Sequence, residues 1–212
     1  MSRLPAISRK HKVCVICEGL EEHIYFQRLI SLNVWSREYE FIPVNAKGES
    51  NLFARFQDAY NNDSYEVILI FCDTDKYPYR EYSQVKKKIN DFFDKRLAAQ
   101  KLILWANPCS MQIILSHFGD VSLANQGKKT NADIIEKLTG VAGYDGHEKQ
   151  ITEICNHIFQ RTYPEMKSRL VQEEYMDSCA GTSNIVRFLD LFENDDAKWI
   201  ADIKKYLEKY RC

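Results

Sequence analysis

The sequence predicts an α/β protein of Rossmann-like type, with a mostly parallel four-stranded sheet flanked by helices and a helical C-terminal extension. From Lys12 to Phe118, short apolar runs alternate with longer amphipathic stretches, which is typical of βα units on a parallel sheet. Beyond Gly119 no strand-like run follows, and only helical periodicity continues. We therefore expect an α/β core over residues 1–120 and a helical region over residues 121–212 that packs on it.

Four apolar runs are the predicted strands. Lys12–Cys17 and Val67–Cys72 are almost continuously apolar, as expected of central strands that are covered on both faces. Weaker runs occupy Glu40–Val44 and Lys101–Trp105.

Apolar residues at helical spacing predict helices between these strands and throughout the tail. The stripes in the first half are Tyr25, Phe26, Leu29 and Ile30; Leu52, Phe53, Phe56, Ala59 and Tyr60; Val85, Ile89, Phe92, Phe93 and Leu97; and Met111, Ile114, Leu115 and Phe118. The stripes in the tail are Ile151, Ile154, Cys155, Ile158 and Phe159; Ile185, Phe188, Leu189 and Phe192; and Trp199, Ile203, Tyr206, Leu207 and Tyr210.

The composition of the 212 residues is that of an ordinary globular protein, with 45% hydrophobic residues, 29 basic and 30 acidic residues. A net charge of −1 excludes a basic field over the whole protein, so any contact with nucleic acid must come from local patches. No apolar run approaches the roughly 20 residues of a membrane-spanning helix, and residues 1–12 lack a signal-peptide segment. The seven cysteines are odd in number and scattered, which indicates reduced thiols. We expect a cytoplasmic protein without a membrane partner.

Acidic residues follow two of the predicted strands. Glu18-Gly19 follows the first, and Asp73-Thr74-Asp75 follows the third. Open α/β sheets bind ligands at the carboxyl ends of their strands, and carboxylate oxygens suit Mg²⁺. A lone Asp at such a position is more often a turn residue. Asp73 and Asp75 together with Glu18 favour a metal site. The predicted metal ligands are therefore Glu18, Asp73 and Asp75, with Mg²⁺ or Mn²⁺ as the ion.

Glu22 lies one helical turn after Glu18 and has two interpretations. It is either a further metal ligand or an exposed acidic residue that the dipole of the first helix stabilises.

Three segments, in the same order along the chain, resemble a known family. They are Val15–Phe26, which contains Glu18-Gly19 and Tyr25-Phe26; Val67–Asp75, which ends in Asp-x-Asp; and Asn107-Pro108-Cys109 followed by His117-Phe118. Together they resemble RloB-like proteins, a prokaryotic branch of the Toprim superfamily found in restriction-modification and abortive-infection loci. The resemblance implies a Toprim-like fold for the core.

The resemblance also implies an activity. In Toprim enzymes the first glutamate acts as general acid or base, and the Asp-x-Asp pair holds magnesium during phosphodiester cleavage or synthesis. Carried over, Glu18 takes the first role, and Asp73 and Asp75 take the second. The implied function is a magnesium-dependent nuclease or related phosphotransferase that acts on nucleic acid in phage defence. The residues expected to contact the substrate are Gly19, Lys76, Asn107 and His117.

Two positions depart from the family pattern and leave other functions open. Glu21 stands where the family has Ser or Thr, and Ser110-Met111 stands where it has Phe-Glu, so one acidic group is missing. A second hypothesis is therefore a degenerate Toprim module that binds nucleic acid or a partner ATPase without catalysis. A third is a haloacid-dehalogenase-like phosphatase with Asp73 as nucleophile. In that fold the aspartate follows the first strand, whereas here two predicted strands come earlier, and this hypothesis gives Glu18 no role.

Overall fold

The sheet has six strands, of which the four longest are parallel to one another, in a computed structural model that describes residues 10–75, 77–172 and 180–208. The order across the sheet is β2-β1-β3-β4-β6-β5. The strands are β1 (His11–Cys17), β2 (Tyr39–Asn45), β3 (Val67–Asp73), β4 (Ile103–Ala106), β5 (Val171–Gln172) and β6 (Thr182–Ser183). The predicted α/β class with a mostly parallel sheet is confirmed.

The two central strands, β1 and β3, bring the acidic residues together. They pair in parallel with Val13 opposite Val67 and Cys17 opposite Phe71, so both strands end at the same edge of the sheet. The chain runs outward from β1 to β2 on one side and from β3 to β4 on the other. This edge between β1 and β3 is the topological switch point, where α/β sheets leave a crevice for ligands.

The helices bury the apolar stripes that predicted them. They are α1 (Leu20–Ser31), α2 (Leu52–Asn61), α3 (Arg80–Phe93), α4 (Ala98–Leu102), α5 (Met111–Leu115), α6 (Lys128–Thr139), α7 (Glu148–Asn156), α8 (Thr162–Arg169), α9 (Ile185–Glu193) and α10 (Lys198–Leu207). Tyr60, Leu97 and Phe159 are exceptions, because they are 47%, 46% and 46% exposed, and Leu97 and Phe159 lie beyond the ends of α3 and α7. Tyr210 lies outside the described residues. None of the helices in the described ranges combines the length and apolar character that crossing a bilayer requires.

Two details of the predicted strands are wrong. The fourth strand begins at Ile103 and not at Lys101, because residues 98–102 form α4. The tail is not purely helical, since β6 pairs antiparallel with β4 through Ser183 and Ala106. A strand of two residues is too short to show a period of two, so no pattern in the sequence reveals it.

The tail and the α/β region share one hydrophobic core. The ring of Phe192 in α9 lies 4.7 Å from that of Phe41 in β2 and 5.3 Å from that of Trp35, measured between centroids. Such aromatic pairs stabilise the folded state by more than the burial of their apolar surface alone.

Asn184, just after β6, closes the hydrogen bonding of β4 with its side chain. Its Oδ1 accepts a hydrogen bond from the backbone N–H of Trp105 at 2.8 Å, and its Nδ2 donates to the carbonyl of Ile103 at 2.8 Å. The amide thus continues the sheet where the short β6 strand ends. Both backbone groups are buried, so they depend on this one side chain.

We expect Asn184→Ala to lower the free energy of unfolding by about 3 kcal/mol, because it leaves a buried N–H and a buried C=O without partners. Urea denaturation followed by tryptophan fluorescence measures the change. Asn62→Ala, at an exposed position just after α2, is the control and should change it by less than about 0.5 kcal/mol. Equal losses in the two variants would contradict the role of Asn184.

Candidate active site

Glu18 and Asp73 are neighbours at the carboxyl edge of β1 and β3. The backbone N–H of Glu18 donates to the carbonyl of Phe71 at 2.9 Å, which continues the pairing of the two strands by one residue. The Glu18 carboxylate accepts a hydrogen bond from the backbone N–H of Asp73 at 3.1 Å through Oε2. The strand register therefore fixes one acidic side chain directly on the backbone of the other.

The segment that follows β4 holds Asp73 and Asp75. Asp73 Oδ1 accepts a hydrogen bond from the backbone N–H of Ser110 at 2.7 Å. The backbone N–H of Asp75 donates to the carbonyl of Pro108 at 3.0 Å, and Asp75 has a left-handed backbone with φ of 58°. The Asn-Pro-Cys-Ser segment thus positions both aspartates through its backbone.

Glu22 is buried, and the interpretation of it as an exposed acidic residue is wrong. Its side chain lies in the first turn of α1 and is only 3% exposed. Oε2 accepts a hydrogen bond from the backbone N–H of Gly19 at 2.8 Å, which satisfies one of the free donors at the helix start.

Glu21 is a buried carboxylate that the sequence analysis did not count among the functional residues. Its Oε1 accepts a hydrogen bond from the Tyr144 hydroxyl at 2.7 Å and lies 3.4 Å from Lys128 Nζ. Its Oε2 accepts from the Ser110 hydroxyl at 3.2 Å. Glu21 and Glu22 are adjacent in α1, and both are buried. Apolar periodicity does not predict two adjacent buried carboxylates.

The carboxyl groups at this edge raise one another's pKa values. Burial, followed by repulsion from Glu22, raises the pKa of Glu18 to about 8. Burial and the charges of Glu22 and Glu18 raise the pKa of Asp73 well above its usual range. The pKa of Glu22 is also raised, first by burial and then by Glu21. A divalent cation is the natural counter-charge for such a group of oxygens.

A second cluster of acidic residues includes Asp75, which is one of the three predicted metal ligands. Glu49, in a short 3₁₀ turn after β2, and Glu81, in the first turn of α3, join Asp75 with ligand oxygens that all lie within 4.8 Å of one another. Burial and the charges of Glu81 and Asp75 raise the pKa of Glu49 to about 7. Three carboxylate oxygens at this spacing fit Mg²⁺ or Mn²⁺. Neither glutamate belongs to a sequence motif, and only the folded chain brings them together.

His117, which was predicted to contact the substrate, lies inside the core. It is 1% exposed, and its ring nitrogens lie 3.0 Å from the Tyr25 hydroxyl and 3.0 Å from the Thr162 hydroxyl. Burial lowers its pKa to about 3, which keeps the ring neutral. The histidine links α1 to α8 as part of the core.

The other predicted binding residues have different environments. Gly19 lines the pocket described below. Asn107 is buried, and its amide donates to the Tyr79 hydroxyl at 3.4 Å. Lys76 lies outside the described residues.

A pocket of about 310 Å³ opens beside the carboxylates. Its acidic side is formed by Glu18, Glu21, Glu22 and Asp73. The opposite side comes from the tail, mainly from α6, α7 and the segment between them. The residues from the tail are Gln126, Lys128, Asn131, Ile135, Tyr144, Gly146 and Ile151.

Comparisons of this chain with protein-family models, with curated proteins and with solved structures found no significant match. The resemblance to RloB-like proteins stays a prediction.

Binding of a divalent metal ion should reduce the dependence of the folding stability on pH. Because folding raises the pKa of Glu18 from its ordinary 4.5 to about 8, the folded state binds more protons than the unfolded state between these values. The free energy of unfolding should therefore fall as pH rises through this window. In EDTA, we expect the Tm from scanning fluorimetry to decrease between about pH 5 and about pH 8, and Mn²⁺ to reduce that decrease.

Glu18→Gln is the matched control, because it removes the titrating group and keeps the shape of the side chain. Its Tm should decrease less with pH in EDTA than that of the wild type. A wild-type Tm that stays constant or increases over this range would refute the linkage.

Proposed function

We propose that this protein is a divalent-metal-dependent nuclease, or a related phosphotransferase, of the Toprim kind that acts on nucleic acid. The observation that carries the proposal is the set of carboxyl groups at the switch point of the sheet, with Glu22 buried and Glu18 and Asp73 half-buried, each with a raised pKa. A protein that gathers them next to a pocket is built to receive cations and the anionic substrates that cations attract.

The acidic residues divide into two roles in this proposal. Asp75, with Glu49 and Glu81, offers the tightest set of oxygens for a metal ion among the described residues, and Asp73 lies two residues away. Magnesium, when bound, supplies positive charge for the phosphodiester and acidifies a bound water. Glu18, whose pKa of about 8 lies near neutrality, can accept or donate a proton there.

Glu21 bears on the acidic group that is missing at Met111. Met111 is buried and lines the pocket, but the residue before it, Ser110, donates its hydroxyl to the Glu21 carboxylate at 3.2 Å. The two departures from the family pattern are therefore in contact. Through Ser110, Glu21 places a carboxylate next to the segment on which RloB-like proteins carry their glutamate. This supports a catalytic site over a degenerate one.

One observation favours the second candidate, a module that binds nucleic acid or a partner ATPase without catalysis. The close group of oxygens comprises Glu49, Asp75 and Glu81 and excludes Glu18 and Asp73. A cation held only by the first three would order the loop after β3 and the start of α3 without reaching the proposed acid–base residue.

Nuclease assays on labelled single-stranded DNA and RNA test the first candidate. With Mg²⁺ or Mn²⁺, we expect Asp73→Asn and Glu18→Gln each to lower the cleavage rate by at least about 100-fold, because one changes the charge at the metal and the other removes the proton-transfer group. Asp91→Asn, which removes an exposed ion pair with Lys87 on α3, is the control and should cleave at the wild-type rate. Wild-type cleavage by both site variants would reject the proposal.

Metal titration separates the two candidates. By calorimetry, Glu81→Gln should weaken Mn²⁺ binding by about 10-fold, since it removes one charged oxygen ligand, whereas Glu153→Gln on the exposed face of α7 should not. If the wild type binds Mn²⁺ but cleaves no nucleic acid, the binding module becomes the better function. Unchanged affinity in Glu81→Gln would exclude Glu81 as a ligand.

A further inference from the structure

We propose that the pocket beside the carboxylates receives a single unpaired nucleotide unit and that Lys128 binds its phosphate. The inference rests on the proposed function, because Asp73, which lines the pocket, lies two residues from Asp75 in the proposed metal site. It adds the form of the substrate and a residue from the tail that the sequence analysis did not single out for the site.

The pocket has the size and lining of a nucleotide site. Its volume of about 310 Å³ lies at the lower end of the range for small-molecule sites. Beyond the acidic side, it offers the amides of Gln126 and Asn131 and an apolar wall. The wall consists of Leu20, Met111, Ile135 and Ile151. A charged side, a few polar groups and an apolar wall match the phosphate, the sugar and the base of one nucleotide.

The size also restricts which nucleic acid can enter. A base that is stacked and paired in a duplex cannot enter a pocket of this volume, so enzymes that hold a base in a pocket use single strands or extrude the base. Glu18, Glu21, Glu22 and Asp73 line this pocket. Unpaired ends or single strands are therefore the substrates that fit.

Lys128 is the lysine in the pocket lining, at the first position of α6. Its Nζ lies 3.4 Å from Glu21 Oε1, while 48% of its own side chain is exposed against 11% of that of Glu21. A partly exposed ion pair of this length contributes little, so the ammonium group can turn to a phosphate without a large penalty. Lysine commonly binds phosphate as a compact point charge.

Gly146 keeps the Lys128 side chain over the pocket. This glycine has φ of +86°, and a Cβ atom built on it would overlap Lys128 Nζ and lie 2.7 Å from both Cδ and Cε. The aliphatic part of the Lys128 side chain therefore packs against the backbone of Gly146, in the segment between α6 and α7. Lys128 therefore places a positive charge in the pocket next to Glu21, where it can bind the phosphate of an anionic ligand.

Binding of a short single-stranded oligonucleotide with a 5′-phosphate tests the inference, with Ca²⁺ in place of Mg²⁺ to limit turnover. By fluorescence anisotropy, we expect Lys128→Met to raise the Kd by about 10-fold through loss of a charged contact. Lys129→Met is the matched control, because Lys129 is the next residue, is equally charged and does not line the pocket; its Kd should equal that of the wild type. Equal affinities for Lys128→Met and the wild type would overturn the inference.

Two glycine variants test the placement of the lysine. Gly146→Ala and Gly140→Ala put a Cβ at similar left-handed φ values, +86° and +79°, but the second Cβ meets nothing within 4 Å. Both should lower the Tm to a similar extent, because both strain the backbone. Only Gly146→Ala should raise the Kd for the oligonucleotide, and a similar rise in Gly140→Ala would contradict the contact with Lys128.

Two further probes define the substrate. A blunt duplex of the same sequence should bind at least about 10-fold more weakly than the single strand, and equal binding would reject an unpaired nucleotide. Adenosine 5′-monophosphate should compete in the wild type and lose this competition in Lys128→Met. Tighter binding of the oligonucleotide than of the mononucleotide identifies a strand end, and equal binding identifies a free nucleotide; both support the shared phosphate chemistry.

Failure of this inference differs from failure of the proposed function. If Mn²⁺ binds and Asp73 is required for cleavage, but Lys128→Met binds the oligonucleotide like the wild type, only the inference is wrong. If the oligonucleotide binds through Lys128 but no metal-dependent cleavage occurs, the pocket is confirmed and the nuclease is rejected.

Discussion

The desolvation and mutual repulsion of the carboxyl groups at the carboxyl edge of β1 and β3 form the constraint on which the rest of the site depends. The fold answers it with backbone donors. Glu18 accepts from the N–H of Asp73, Glu22 from that of Gly19, and Asp73 from that of Ser110. Each such bond to a carboxylate stabilises its charged form, but the raised pKa values show that three donors do not offset burial and repulsion.

The topology of the sheet explains why the donors and the acids meet. The chain winds outward from β1 to β2 on one side and from β3 to β4 on the other, which leaves a crevice at this edge. The segment after β4 crosses the crevice with Pro108 and Ser110. The tail then holds β4 in place through Asn184 and closes the crevice into a pocket with α6 and α7. The core and the tail are therefore both needed to form the site, although the acidic residues of the site all come from the core.

The strands and their acidic ends were predictable because they depend on local patterns. Continuous apolar runs identify central strands, and parallel strands share a carboxyl edge, so Glu18 and Asp73 follow from the sequence. Contacts between distant segments leave no such pattern, which is why Glu49, Glu81 and the pairing of Glu21 with Lys128 emerge only in the folded chain. The same limit applies to His117, since its place in a motif does not reveal that its ring nitrogens lie next to the hydroxyls of Tyr25 and Thr162.

The balance of charge connects stability with ligand binding. Among the described residues that line the pocket, Lys128 is the basic side chain, and it pairs with Glu21 and not with Glu18 or Asp73. The remaining carboxylates must therefore take protons or cations from solution, and any ion that binds only the folded state stabilises it. A substrate phosphate that displaces Glu21 from Lys128 would return one more negative charge to the acidic side. Cation binding and phosphate binding at this pocket are thus expected to strengthen each other, because each neutralises the charge that the other brings.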